Sequence, residues 1–306
     1  MTVLLYTHQS CLEHDPGEGH PERPERLSAV LDALAAPIFS ALDLREAPLA
    51  TSDQLNLVHN RAYVEQILFG IPSLGKLQLD HDTVVSPGSG EAALRAAGAV
   101  CAAVDAVMEG TAKRVFCAVR PPGHHAEPNR AMGFCLFNNI AIGAAHALDM
   151  YGIERLAIID FDVHHGNGTQ IIFAQETKVL LVGSQQMPLY PGTGTRSEVG
   201  VGNIVNMPLA PGSGGKEFEV QWRTHGLPRL VSFEPDLILL SAGFDGHRDD
   251  PLSQLNLVGA DYAWLTNEIV EISERSAGGR IISSLEGGYN LAALSDACAA
   301  HVAALL

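Results

Sequence analysis

Six short runs of almost wholly apolar residues, at 3–6, 115–119, 156–159, 179–182, 237–240 and 281–285, constrain this chain more than any other feature. A strand with one wet face alternates polar and apolar side chains. A run that stays apolar is covered on both faces, as in a parallel sheet. Between these runs lie longer segments of helical period, at 24–35, 90–108, 138–150, 216–231, 259–276 and 291–304. Strands alternating with helices predict an α/β fold: a mostly parallel central sheet, flanked by helices and joined by right-handed crossovers. Ser89, just ahead of Gly90, is the expected N-cap of the second helical segment. No repeat, low-complexity tract or composition shift divides the chain, so residues 1–306 read as a single domain. Three long irregular stretches, 7–23, 71–88 and 184–213, are candidates for functional loops.

Composition excludes several classes. Of 306 residues, 46% are hydrophobic and 18% charged, which suits a large core and not a disordered chain. A net charge of −16 repels nucleic-acid phosphates. The most apolar helical segment, 92–108, carries Arg95 and Asp105 and makes a poor membrane span. The first ten residues lack a basic stretch ahead of their apolar run and read as a first strand rather than a signal peptide. Five cysteines (Cys11, Cys101, Cys117, Cys135 and Cys298) form no C-x-x-C pair. They point to a reducing compartment, the cytoplasm, with neither a disulfide frame nor a structural zinc knuckle.

Ligands in open α/β sheets bind beyond the carboxyl ends of the strands. Four of the predicted strands end in reactive residues. One is followed by Arg120-Pro121-Pro122-Gly123-His124-His125, and the next by Asp160-Phe161-Asp162-Val163-His164-His165-Gly166-Asn167-Gly168. A third leads into Ser241-Ala242-Gly243-Phe244-Asp245, and the last into Glu286-Gly287-Gly288-Tyr289. In Asp162-Val163-His164, an extended backbone points residues i and i+2 the same way, so a carboxylate oxygen and an imidazole nitrogen can meet one ion. Catalytic zinc takes three such N or O ligands and keeps a position open for water. Asp245, at another strand end, is the natural third ligand.

The His124–His125 pair suits a general base and an electrostatic partner, although an isolated His-His pair is also an ordinary polar turn. Each would need an acceptor for its far nitrogen; Asp160 and Asn167 bracket the metal segment and are the candidates. Tyr289, after two glycines that would leave its loop mobile, could donate to a developing oxyanion or be a half-buried structural tyrosine. Phe134, after Gly133, and Tyr190, before Pro191-Gly192, could wall a narrow slot for a methylene chain or simply pack in the core.

At this point the residues resemble a known family, the zinc-dependent histone deacetylases and their bacterial relatives, including the acetylpolyamine amidohydrolases. R-P-P-G-H-H-A, G-F-C-L-F-N-N, D-F-D-V-H-H-G-N-G-T, P-G-T-G, S-A-G-F-D and E-G-G-Y carry the resemblance, which runs from about His20 to Tyr289. Asn167 and Phe244 resemble class II more than class I. The resemblance implies one α/β domain of arginase-like topology that hydrolyses the acyl amide of Nε-acyl-lysine and releases acetate. It implies zinc on Asp162, His164 and Asp245, with His124 and His125 as the catalytic pair and Asp160 and Asn167 as their orienting partners. Tyr289 would polarise the acyl carbonyl, and Gly133, Phe134 and Tyr190 would line the substrate tunnel. Arg26 would lie near an inner channel for acetate, and Asp82 would hold substrate backbone amides.

Two departures bear on function. The family binds potassium through Asp160 and nearby carbonyls, but Gly183 stands where a coordinating serine is expected, with Ser184 one residue later. Enzymes acting on acetylated polyamines carry a glutamate seven residues after the last zinc ligand; here that residue is Leu252. An apolar rim favours an acylated lysine on a protein or peptide over a small acylated amine, the alternative substrate. A two-manganese site of the arginase type would need a carboxylate at Gly243. An inert acyl-lysine binder would have no use for Tyr289 and both histidines.

Overall fold

The computed structural model describes residues 3–306, so the first two positions of the expected domain, Met1 and Thr2, lie outside the described residues. In chain order the strands are β1 (Val3–Thr7), β2 (Leu42–Glu46), β3 (Leu77–Gln78), β4 (Val84–Val85), β5 (Arg114–Cys117), β6 (Leu156–Asp160), β7 (Val179–Gln186), β8 (Ile204–Leu209), β9 (Leu237–Ala242) and β10 (Ile281–Leu285). The helices are α1 (Glu25–Leu34), α2 (Ser52–Leu55), α3 (Arg61–Phe69), α4 (Ser89–Met108), α5 (Asn139–Tyr151), α6 (Asn167–Phe173), α7 (Gly215–Gln221), α8 (Leu227–Phe233), α9 (Gly259–Ser276) and α10 (Leu291–Leu305).

Eight strands form one parallel sheet in the order β2-β1-β5-β10-β9-β6-β7-β8; β3 and β4 make a separate small hairpin. The fold class is the α/β class the apolar runs predict. Every residue of β6, β7, β9 and β10 is buried, as a sheet covered on both faces requires. Helices flank the sheet: α10 packs on α9 and α1, and α4 packs on α5.

The strand order positions the site. The chain lays down β1, then β2 on one side and β5 on the other, and jumps to β6 with a gap left between. The last two strands, β9 and β10, fill that gap, so β5, β10, β9 and β6 are neighbours at the sheet centre. These are the four strands whose ends carry the reactive segments. With strands about 4.8 Å apart, the outer two of the four are only about 14 Å apart. Their C-terminal loops therefore share one crevice, at the point where the strand order reverses.

Several local expectations differ from the structure. Ser89 does not cap α4: it is already helical, Gly88 is the cap, and the Ser89 hydroxyl accepts from Ser86 N–H at 2.8 Å and meets His14 Nδ1 at 2.7 Å. The segment 216–231 is helical throughout, but not uniformly: a π-helical turn, Trp222–Gly226, joins α7 to α8, with Gly226 and Pro228 where the turn ends. The irregular stretch 184–213 contains β8, whose Asn206 and Pro208 hide its strand character. The strand β2 was missed because it is a half-exposed edge strand of mixed polarity, Leu-Asp-Leu-Arg-Glu.

Candidate metal and catalytic site

Asp162 and His164 follow β6, and Asp245 follows β9. Each offers one ligand atom, and the three atoms lie within 4.8 Å of one another. His164 Nδ1 is 3.2 Å from Asp162 Oδ1 and 3.0 Å from Asp245 Oδ2. All three are buried. The remaining lone pairs are satisfied: Asp162 accepts from Gly287 N–H at 2.8 Å and His164 N–H at 2.8 Å, and Asp245 accepts from Val163 N–H at 2.9 Å. Burial works against a charged His164, yet the two carboxylates outweigh it and push the imidazole up to about 10. Burial and the neighbouring Asp162 charge push Asp245 up to about 7. Two carboxylates facing one imidazole out of water call for positive charge at their centre, and this donor set suits zinc.

The glycines around the ligands are there for close approach. A Cβ on Gly287 would lie 2.1 Å from Asp245 Oδ2 and 2.6 Å from Asp162 Oδ2, and one on Gly243 would lie 2.0 Å from Asp162 Oδ2. Gly287 thus has a steric role beside the mobility expected of the pair: only a bare backbone fits against the carboxylates.

His124 and His125 lie beside the metal ligands with ring centroids 4.0 Å apart and their planes tilted by 41°, both buried. His124 Nδ1 meets Asp160 Oδ2 at 3.0 Å. Burial lowers its basicity, but Asp162 and Asp160 prevail and hold the imidazole well above its ordinary range. His125 is the opposite case. Burial, then the charges of His124 and His164, hold it well below that range. Its Nδ1 meets Asn167 Oδ1 at 2.8 Å, and Asn167 Nδ2 donates to Glu127 Oε1 at 2.9 Å. Glu127 therefore fixes which way the Asn167 amide faces. Asn167 presents its oxygen to His125, so His125 must carry its proton on Nδ1 and leave a lone pair on Nε2.

Phe134 enters the cavity on a tight turn. Met132 and Cys135 exchange backbone hydrogen bonds of 3.2 and 3.0 Å across Gly133 and Phe134, whose φ values are +57° and +67°. Positive φ at both central positions is a type I′ hairpin turn, unusual for a phenylalanine. Asp82 Oδ1 accepts from Gly133 N–H at 3.2 Å, and Thr83 Oγ1 from Phe134 N–H at 3.1 Å, which secures the strained pair. Phe134 stands edge to face with Tyr289, centroids 5.7 Å apart. Tyr289 is held in turn by Asp250, which accepts its N–H at 2.7 Å, and by the Arg26 guanidinium, 4.9 Å over its ring. Arg26 is fully buried and donates to the carbonyls of Gly288 and Glu286.

The result is a cavity of about 240 Å³ lined by Asp82, His125, Gly133, Phe134, His164, Leu189, Tyr190, Leu252 and Tyr289. Every residue singled out as tunnel wall, rim or carbonyl donor thus faces one space. Its walls are mainly apolar, with His125, His164 and Tyr289 among the polar groups. Asp80, His81 and Asp82 form another grouping of metal-ligand types among the described residues, but a partly exposed one, with Asp80 taken by His81 and Arg130.

Three supporting residues escaped the sequence reading. Glu127 orients Asn167. Glu286, fully buried, accepts from the N–H groups of Gly123 and His124 at 2.7 and 3.2 Å and ties the histidine turn to β10; burial pushes it up to about 7. Asp250 holds the Tyr289 backbone. Glu286 opens the E-G-G-Y motif, and Glu127 and Asp250 lie within a few residues of recognised motifs, which is the signal that could have drawn attention to them.

The histone deacetylase domain model matches residues 20–305. The chain is 38% identical over 328 residues to histone deacetylase 14, chloroplastic, of Arabidopsis thaliana, covering 99% of this chain and 76% of that protein. It is 38% identical over 280 residues to the histone deacetylase-like amidohydrolase of Pseudomonas aeruginosa, covering 89% of this chain and 73% of that protein. The crystal structure of the HDA15 HD domain matches with a TM-score of 0.94 at 35% identity, over 100% of this chain and 89% of that one.

Proposed function

This chain belongs to the histone deacetylase family, and from that premise we propose that it hydrolyses the acyl amide of Nε-acyl-lysine on proteins or peptides, releasing acetate and the free amine. Its metal centre is the buried Asp162–His164–Asp245 set, and zinc is the ion those donors suit. When bound, that ion supplies a Lewis acid and lowers the pKa of water from 15.7 toward about 7.

The observation that carries the reading is the Glu127–Asn167–His125 chain, which leaves an unprotonated Nε2 at the cavity floor. His125 takes the proton of the attacking water as general base. His124, held cationic by Asp162 and Asp160, stabilises negative charge developing beside it. The Tyr289 hydroxyl donates to the acyl oxygen as it gains charge. Water adds to the acyl carbon, the C–N bond breaks, and the proton on His125 passes to the departing amine. Phe134, Leu189, Tyr190 and Leu252 surround the methylene chain and exclude bulk water. Asp160 carries a second expectation, a potassium ion.

Leu252, where those enzymes carry a glutamate, supports a peptide-borne lysine over a polyamine, whose distal ammonium would meet an apolar side chain at that position; Asp82, the carboxylate that lines the cavity, already accepts from Gly133 N–H. Five buried free cysteines support a reducing compartment such as the cytoplasm. No described helix is long and apolar enough to cross a membrane. The test is a substrate panel on zinc-loaded protein, comparing an acetyl-lysine peptide, longer acyl-lysines and acetylspermidine. The peptide is expected to be cleaved with the highest kcat/KM. Faster cleavage of acetylspermidine would overturn the assignment.

A further inference from the structure

Strand register decides what lies beside Asp160. In the β6–β7 pair Asp160 is directly opposite Gly183. Side chains alternate along a strand, so 183 and 185 face one way and 184 the other. Ser184 therefore cannot replace the side chain missing at 183, and its hydroxyl already accepts from Trp222 Nε1 at 3.1 Å.

Gln185 returns to the Asp160 face. It is 1% exposed, and its Nε2 donates to the Gly194 carbonyl at 2.5 Å. Its Oε1 is buried and has no hydrogen-bond partner among the described residues. That oxygen lies 3.8 Å from where a Cβ on residue 183 would sit, and the Asp160 carbonyl lies 3.6 Å from the same point. Beside them is a void of about 10 Å³, bordered by Asp160, His164, His165, Gly183, Gln185 and Asn206. Such a space holds a single small guest.

We infer that Gln185 Oε1 is a ligand of a monovalent-cation site beside Asp160, supplying the oxygen that Gly183 cannot. The inference rests on the proposed deacetylase reading only for the expectation that a cation belongs near Asp160. Both oxygens are acceptors, so a guest that touches both must be positive or donate twice. The buried Asp160 carboxylate beside the void favours a cation over a neutral water. An amide oxygen and a peptide oxygen, beside a carboxylate already accepting from His124 and from Asp162 N–H, suit a weakly hydrated monovalent ion. Divalent ions of the calcium or magnesium kind ask for more carboxylates or retained waters.

The test is equilibrium dialysis of the zinc-loaded chain against rubidium in choline chloride buffer, with bound metal counted by mass spectrometry. Wild type is expected to hold one more rubidium per chain than Gln185→Met. Adding Gly183→Ser to Gln185→Met should restore that ion, because the contacts a Cβ would make at 183 are ordinary ones. If Gln185→Met does not fold, Gln185→Glu replaces it, and its carboxylate should tighten rubidium at least tenfold. Equal rubidium in wild type and folded Gln185→Met would overturn the inference. So would an unchanged affinity in Gln185→Glu, or a wild-type Tm identical in potassium and choline chloride. No acyl substrate enters these measurements. Loss of rubidium without loss of acyl-lysine cleavage, or the reverse, therefore separates failure of one reading from failure of the other.

Discussion

Replacing Gly287 with alanine adds one methyl group against the metal ligands, and the structure says how much room it has. The new carbon would lie 2.1 Å from Asp245 Oδ2 and 2.6 Å from Asp162 Oδ2. Nonbonded carbon–oxygen pairs settle near about 3.4 Å, so Asp245 must retreat by roughly 1 Å. It cannot swing freely, because its other oxygen accepts from Val163 N–H and Oδ2 faces His164. Metal–ligand distances tolerate only about 0.2 Å of error. Changing a residue outside the ligands typically costs about 10–100-fold in metal affinity, and here a ligand itself moves. Gly287→Ala should therefore weaken zinc binding at least about 100-fold. Gly287 lies outside the left-handed region, so backbone strain does not confuse the result. The assay is competition between the metal-free protein and a chromophoric chelator, with circular dichroism to check folding. Gly214→Ala, whose added carbon would be 3.6 Å from Asn256 O, is the control and should bind zinc normally. Wild-type zinc affinity in folded Gly287→Ala would refute the argument that these carboxylates share one ion against a bare backbone.

Tyr289→Phe removes only a hydroxyl; it should fold and bind zinc normally but turn over at least about 100-fold more slowly, measured as kcat on an acetyl-lysine peptide. Leu252→Glu places a carboxylate at the rim of the cavity and should shift the ratio of kcat/KM for acetylspermidine over peptide upward by about tenfold or more; an unmoved ratio would mean the rim does not select substrate. His125 acts unprotonated, and burial with the charges of His124 and His164 holds it below the ordinary histidine range. A base with a depressed pKa stays deprotonated as pH falls, so the acid limb of kcat/KM should lie below about pH 6.5, the unperturbed value. A pH profile whose acid limb falls at pH 7 or above would contradict that assignment.

Much of the fold was legible because burial on both faces leaves a local trace. The runs that became β6, β7, β9 and β10 are apolar at nearly every position, and α9 and β10 begin and end where their periodicity does. Elements without that trace were invisible. The edge strand β2 is half exposed, β8 contains an asparagine and a proline, and α6 lies inside a motif too short to show a period. Ser89 has the chemistry of a cap, yet its hydroxyl is claimed by Ser86 and His14, one three residues away and one 75.

The same division runs through the site. Residue types near strand ends, Asp-x-His, His-His and Gly-Gly-Tyr, could be read from the sequence because their chemistry belongs to the residues and their short spacing. Their meeting depends on β9 and β10 entering the gap between β5 and β6, a matter of strand order that no local pattern records. The proton position on His125 depends on Glu127 orienting Asn167, which lies 40 residues further along the chain. The pairing of Gly183 with Asp160 follows from sheet register, and the unpartnered oxygen of Gln185 beside them from side-chain contacts made in the folded chain. Sequence carried what each side chain can do; tertiary structure decided which groups do it together, because hydrogen bonds and ligand fields act over about 3 Å in space, whatever the separation along the chain.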